Sequence, residues 1–259
     1  MDPLTEPFLT FDPSPAGPTG RVDALVARYR ENWAAGRILP NSVEAVRVEL
    51  TYHSNAIEGS TLTLRDTQLV IEGFEPNTGK SLREIYEARN HDRALRTVEG
   101  WAAARPADAP LVEADLLAVH AHVMADIDPA GAGRLRADRV LITGTRFVPP
   151  GSHKLPVLIP ALLERANRAG VHPVVQAAEL HYNLVAVHPF ADGNGRTARL
   201  LMNYHLLRHG FPHAVIQVER RAEYLAALEE ANAGRAEPFA AFVLGCVEQS
   251  VLKLIGDEP

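Results

Sequence analysis

After residue 20 the chain repeats apolar residues at three- and four-residue spacing in one segment after another, a period that commits it to helices. Val22, Leu25, Val26 and Tyr29 form the first such stripe, and Gly36 supplies a stop. Asn41 with Glu44 gives a capping-box spacing just after Pro40, followed by Val43, Val46 and Leu50 on one face. Ser81 with Glu84 repeats that spacing ahead of a long helix through Ile85, Leu95 and Val98. Further helical stretches are expected over 111–127, 156–169, 173–187, 194–208, 219–232 and 238–255, with Pro173 and Pro238 in first turns and Gly210 as a stop.

Two segments break the pattern. Residues 1–20 carry Pro3, Pro7, Pro13, Pro15 and Pro18, which predicts a loose arm with Phe8 or Phe11 docked on the body. Arg139–Pro150 is rich in β-branched residues, turns at Thr143-Gly144-Thr145, and predicts a two-stranded hairpin, either a docking edge or a plain connector. With no repeat and no linker after residue 20, the expected organisation is an arm (1–20) and one all-α domain (21–259) of eight to ten helices with a small β-hairpin flap.

Composition narrows the function classes. The 259 residues include 26 Lys+Arg against 32 Asp+Glu, a net charge of -6, the reverse of the basic surplus that nucleic-acid binders show. Cys246 is the only cysteine, so an internal disulfide and a cysteine-based zinc site are excluded and a reducing compartment fits. No apolar run approaches the roughly 18 residues that span a bilayer, and the first twenty residues lack the pattern of a secretion signal. The expected location is cytoplasmic, with neither a membrane nor nucleic acid as partner.

Chemistry concentrates in His188-Pro-Phe-Ala-Asp-Gly-Asn-Gly-Arg-Thr-Ala-Arg199, which joins one apolar helix (Leu180, Leu184, Val187) to the next (Leu200, Leu201, Tyr204). Gly193 and Gly195 let successive amides converge at a helix N-terminus, where the dipole also favours an anion. Arg196 and Arg199 share a helix face and add two forked cationic donors, equipment suited to a phosphate chain. Asp192 is a carboxylate beside that nest, placed to hold Mg²⁺ against phosphate oxygens. His188 stands at the lip, where it could take a proton from a hydroxyl, and Phe190 reads as an apolar anchor.

His188 to Arg199 resembles the complete signature of the Fic family, His-x-Phe-x-(Asp/Glu)-Gly-Asn-Gly-Arg-x-x-Arg. Ser54-Asn-Ala-Ile-Glu58-Gly59 resembles the family's inhibitory motif, (Ser/Thr)-x-x-x-Glu-(Gly/Asn), at the end of a helix expected over 41–59. Residues 131–150 resemble its flap, and Tyr224 to Pro238 its adenine-side segment. The resemblance implies transfer of AMP from ATP to a Ser, Thr or Tyr hydroxyl of a target protein. It implies His188 as general base and Asp192 as the ligand of Mg²⁺ or Mn²⁺. The amides of Gly193, Asn194 and Gly195 would cradle phosphates, with the Asn194 side chain assisting, and Arg196 and Arg199 would bind the β- and γ-phosphates. Tyr224 and Asn232 would line the adenine, although Tyr224-Leu225 stands where relatives carry paired tyrosines. The target would dock on 140–148; self-modification and a homodimer stay open.

Glu58 by itself is an acidic residue near a helix end, four after Ser54, and would by default be solvated. The resemblance makes it an inhibitor that pairs with Arg199, and leaves open whether it also orients water for AMP removal. Transfer of another phosphate-containing group, or a non-catalytic nucleotide-gated module with an idle His188, are the other readings. His120 and His122 are two apart and therefore on different helix faces, His205 and His209 suit a helix end, and Cys246 reads as a core residue.

Overall fold

The computed structural model describes residues 8–11, 18–74, 79–142 and 144–257. Among them are ten α-helices and no strand: α1 (Pro18–Ala34), α2 (Pro40–Ile57), α3 (Leu64–Ile71), α4 (Leu82–Ala104), α5 (Glu113–Met124), α6 (Leu155–Ala166), α7 (Pro173–Val187), α8 (Asn194–Arg208), α9 (Arg221–Asn232) and α10 (Glu237–Ile255).

Local signals set most of these boundaries. The Ser81 hydroxyl accepts from the Glu84 amide at 3.2 Å and the Glu84 carboxylate accepts from the Ser81 amide at 3.1 Å, the expected capping box of α4. Glu84 also accepts from the Thr61 amide and hydroxyl, which ties α4 to the chain just beyond α2. Burial pushes the Glu84 carboxyl up, but these four bonds outweigh it and hold the group at about 2. The box expected at Asn41 and Glu44 does not form. Pro40 takes the first helical position, where its fixed φ is favourable, so Asn41 falls inside α2, while Glu44 is engaged by Arg47 and Arg96 at 2.7 Å each. A capping box at Thr63 and Asp66 starts the short α3 instead.

The two helices flanking the His188–Gly193 turn, α7 and α8, are buried along nearly their whole length, as apolar helices must be when neighbours cover every face. One apolar cluster joins α7 to α1, α9 and α10 through residues such as Val22, Tyr182, Phe239 and Val247. A second joins α8 to α2, α4, α5 and α6 through Val46, Leu95, Val119, Leu158 and Leu200. By length and composition α10 could span a bilayer, its 18-residue mean hydropathy reaching 1.5, which the reading of the sequence missed. Its residues Phe239, Phe242, Val243, Cys246, Val247 and Val251 are instead buried in the protein core.

Both arm phenylalanines dock. Leu9 exchanges backbone bonds with the Asn183 side chain at 2.9 and 3.0 Å, and the Phe11 amide donates to Glu179 at 3.0 Å. Phe11 is fully buried against Tyr182 and Phe239, and Phe8 lies under the Arg165 guanidinium. Residues 1–7 and 12–17 of the arm lie outside the described residues.

The hairpin does not form among the described residues of 139–150; Thr143, in its expected turn, lies outside them. The β-branched run supplies strand propensity, but an isolated two-stranded ladder buries too little to hold itself in water. Its described residues form an irregular loop. Phe147 packs on the first cluster and its amide donates to the Thr145 hydroxyl, while Leu141 stands 75% exposed.

Phe11→Ala should lower stability by about 3 kcal/mol, the usual cost of deleting a buried phenyl ring. Urea denaturation checks it, and a change below about 1 kcal/mol would show the arm undocked in solution.

Candidate active site

The chain leaves α7 through His188, whose φ of 49° makes it the sole non-glycine residue in the left-handed region among the described residues. Its amide still closes on the Leu184 carbonyl at 2.9 Å, so the helix ends on a left-handed cap. Phe190 then drops into the core and stacks on the His120 ring, centroids 3.6 Å apart and planes within 4°. His120 Nε2 donates to the Asp192 carbonyl and its Nδ1 accepts from the Gly133 amide, each at 3.0 Å. Those partners require the neutral ring, and burial pushes the group down to about 4. Asn194 accepts from the Phe190 amide and donates to the Phe190 carbonyl, both at 2.9 Å. Its side chain therefore braces the turn, where the resemblance implied help in holding phosphate. Gly193, at φ 75°, makes the left-handed step into α8.

The His188 ring is oriented by its own helix. Nδ1 donates to the Val185 carbonyl at 3.2 Å, which leaves Nε2 without a proton and able to accept one. Burial pushes the imidazole below its ordinary value, with Arg136 adding to the effect and Val185, Glu58 and Asp192 opposing it. At neutral pH the ring is an uncharged base.

Around the turn, charges alternate in sign. Asp192 accepts from the Gly193 amide at 2.6 Å and from Arg83 at 2.7 Å, with Arg196 at 3.4 Å. Burial works against its ionised form, but Arg196, the Gly193 amide and Arg83 outweigh it and hold the carboxyl low. Glu87 pairs with Arg83 at 3.1 Å and approaches Arg196 Nη1 at 3.3 Å without hydrogen-bond geometry. Arg199 is fully enclosed by the end of α2: its Nε donates to the Ser54 hydroxyl at 2.9 Å, and Nη2 to the Ser54 carbonyl at 2.8 Å and to Glu58 at 2.7 Å. Burial of Val46, Leu50 and Ile57 on α2 turns Ser54 and Glu58 toward α8. The Glu58 carboxylate lies over the start of α8, so a Cβ on Gly195 would stand 2.3 Å from Glu58 Oε1 and 3.1 Å from Arg199 Nη1. A side chain at 195 would therefore have to displace the Glu58 carboxylate; the residue itself needs no unusual φ.

The structure brings together His188, Asp192, Gly193, Asn194, Gly195, Arg196, Arg199, Ser54 and Glu58. Tyr224 is buried among His181, Phe239 and Phe242, its hydroxyl 3.2 Å from His181 Nε2. Asn232 accepts from the Tyr182 hydroxyl at 3.3 Å. The sequence reading missed Arg83, Glu87 and Arg136 altogether and set His120 aside; each acts through contacts with residues far along the chain. Among the described residues no group of three or more His, Cys, Asp and Glu gathers into a metal cage. A lone carboxylate beside anion-binding amides suits Mg²⁺, which keeps its waters and is completed by substrate phosphates.

A model of the Fic/DOC family matches residues 110–206. The solved structure of Fic-1 (aa134–508) from C. elegans superimposes with a TM-score of 0.80 at 32% identity, covering 92% of this chain and 71% of that one. The chain belongs to the Fic/DOC family. A Fic-domain signalling protein from Bacteroides thetaiotaomicron has the same fold at a TM-score of 0.78 and 25% identity, with 90% and 98% of the two chains covered. Protein adenylyltransferase fic-1 of Caenorhabditis elegans is 39% identical over 208 residues, 79% of this chain and 40% of its own length. Protein adenylyltransferase Fic of Drosophila virilis is 36% identical over 232 residues, 88% and 46%. This Fic chain therefore spans less than half the length of those two relatives.

Asn194→Ala should cost about 2–4 kcal/mol, because it strands the buried amide and carbonyl of Phe190 together. Hydrogen exchange at the Phe190 amide should accelerate by a matching factor; unchanged protection there would mean another group braces the turn.

Proposed function

We propose that this protein transfers AMP from ATP to a hydroxyl side chain of a target protein, and that Glu58 restrains it through Arg199. One observation carries the reading: the Glu58 carboxylate sits 2.7 Å from Arg199 and directly over Gly195, the place a phosphate oxygen would take. The names of the fic-1 and Fic relatives support the choice of AMP transfer.

In this reading the first amides of α8, which lack helical acceptors, hold the phosphates together with Arg196 and Arg199. The target hydroxyl gives its proton to Nε2 of His188 while its oxygen bonds to the α-phosphorus; the bond from that phosphorus to the bridging oxygen breaks, and pyrophosphate leaves. Mg²⁺ or Mn²⁺ at Asp192 would neutralise phosphate charge. Arg83, 57% exposed, would release the carboxylate for it. The 140–148 segment, with Leu141 and Val148 exposed, would dock the target backbone. The work would take place in the cytoplasm.

Glu58 competes with the γ-phosphate for one guanidinium, and a charge-assisted pair in a partly closed site is strong enough to matter. Glu58→Gly should therefore raise AMP incorporation tenfold or more, about 1.4 kcal/mol in barrier. Arg199→Ala should be inactive with or without Glu58, since substrate binding and restraint pass through the same side chain. An unchanged rate in Glu58→Gly reduces Glu58 to an ordinary surface glutamate.

His188→Ala should cut transfer by about 10²–10⁴ while ATP affinity stays within a few-fold. Labelled ATP and calorimetry measure the two quantities. Near-normal turnover would leave the histidine idle and favour a nucleotide-gated module.

A further inference from the structure

Arg136 is buried, yet it makes no ion pair among the described residues. All its bonds go to carbonyl oxygens from three stretches of chain. Nε donates to His188 at 2.7 Å, Nη1 to Asp138 at 2.8 Å, and Nη2 to Pro150 at 2.5 Å and to Val187 at 3.5 Å. Its own amide donates to the Pro189 carbonyl at 2.9 Å. Three residues before it the chain passes close to α5 at Gly133, whose φ is 69° and where a Cβ would stand 3.0 Å from the Ala121 side chain and 3.1 Å from the Leu117 carbonyl. A buried guanidinium without a carboxylate needs other negative ends, and the last carbonyls of α7 provide them.

Two consequences converge on one residue. His188 holds a left-handed conformation that costs a non-glycine residue about 1–3 kcal/mol and persists only where its surroundings impose it. Arg136 grips the carbonyl of that residue and, through its guanidinium and its own amide, the flanking carbonyls of Val187 and Pro189. The same guanidinium also grips Asp138 and Pro150, which bracket the 140–148 segment. We propose that Arg136 is a positioning residue that locks the His188 backbone and both ends of the 140–148 segment into one frame, so that a hydroxyl presented on the segment arrives at Nε2 of His188. This rests on the reading of His188 as base and of the segment as the target's dock. Lysine cannot substitute, because one ammonium lacks the planar fork that reaches three directions at once.

The test compares wild type, Arg136→Lys and Arg136→Gln by three readouts. Turnover should fall by about 10²-fold in both variants, the cost of misplacing reacting groups by roughly 1 Å. The loss should appear in kcat and in the KM for the target, while calorimetry finds ATP affinity within twofold of wild type. In histidine-labelled protein, with the His188 signal assigned from the His188→Ala spectrum, the ring should titrate higher in Arg136→Gln. The charged groups facing that ring are Arg136, Glu58 and Asp192, and only the cation is removed. Wild-type turnover in Arg136→Lys, or ATP affinity falling in step with turnover, overturns the proposal. So does an unmoved His188 titration in Arg136→Gln. Should Arg136→Gln fail to fold, Arg136→Lys carries the turnover and affinity readings; if neither folds, Arg136 belongs to the fold alone and the proposal is lost. If wild type transfers no AMP, the functional reading fails, while the ring titration still decides whether Arg136 sets the His188 environment.

Discussion

A turn can be buried only if its peptide groups find partners inside the protein, and the 188–193 turn meets that condition with the side chains of Asn194, His120 and Arg136 and the backbone amide of Arg136. Asn194 takes both polar groups of Phe190, His120 takes the Asp192 carbonyl, and Arg136 takes the carbonyls of His188 and Pro189. With those needs met, Phe190 can fill the core beneath the turn while the first amides of α8 stay available for an anion. The α7–α8 pair, the His188 conformation and the position of Asp192 all follow from that bracing.

The second constraint is electrostatic. Arg196 and Arg199 are buried cations, and burying a cation without an anion nearby is expensive. Asp192 and Glu87 stand beside Arg196, and Glu58 from α2 reaches Arg199. The buried arginines at the start of α8 are thus kept supplied with carboxylates from their own chain. Glu58 is 41% exposed in its side chain, so it can leave without unfolding α2. Arg83 on Asp192 is similarly exposed, and surface pairs of this kind contribute little and exchange readily. The inner guanidinium groups are fixed, and their outer partners are replaceable.

Where the reading of the sequence failed, neighbours outvoted local preference. Asn41 and Glu44 have capping-box spacing, but Pro40 claims the first turn and two arginines claim Glu44. The 139–150 run has strand composition, yet among the described residues no partner strand stands beside it, and carbonyl bonds to Arg136 hold its ends instead. The two-turn α3 went unseen because a stripe of eight residues is too short to show a period.

The sequence by itself determined the helical class, the limits of α7 and α8, and the joining turn with its histidine, carboxylate, glycines and arginines. Those features are written in short-range spacing, which caps, period and glycine placement report directly. Tertiary structure alone decided which carboxylate meets which guanidinium: Glu58 with Arg199 from α2, Asp192 with Arg83 from α4. It also decided that Asn194 braces the turn and that Arg136 spans two segments. Such pairings join residues between 2 and 141 positions apart and depend on how helices pack, which no local pattern encodes.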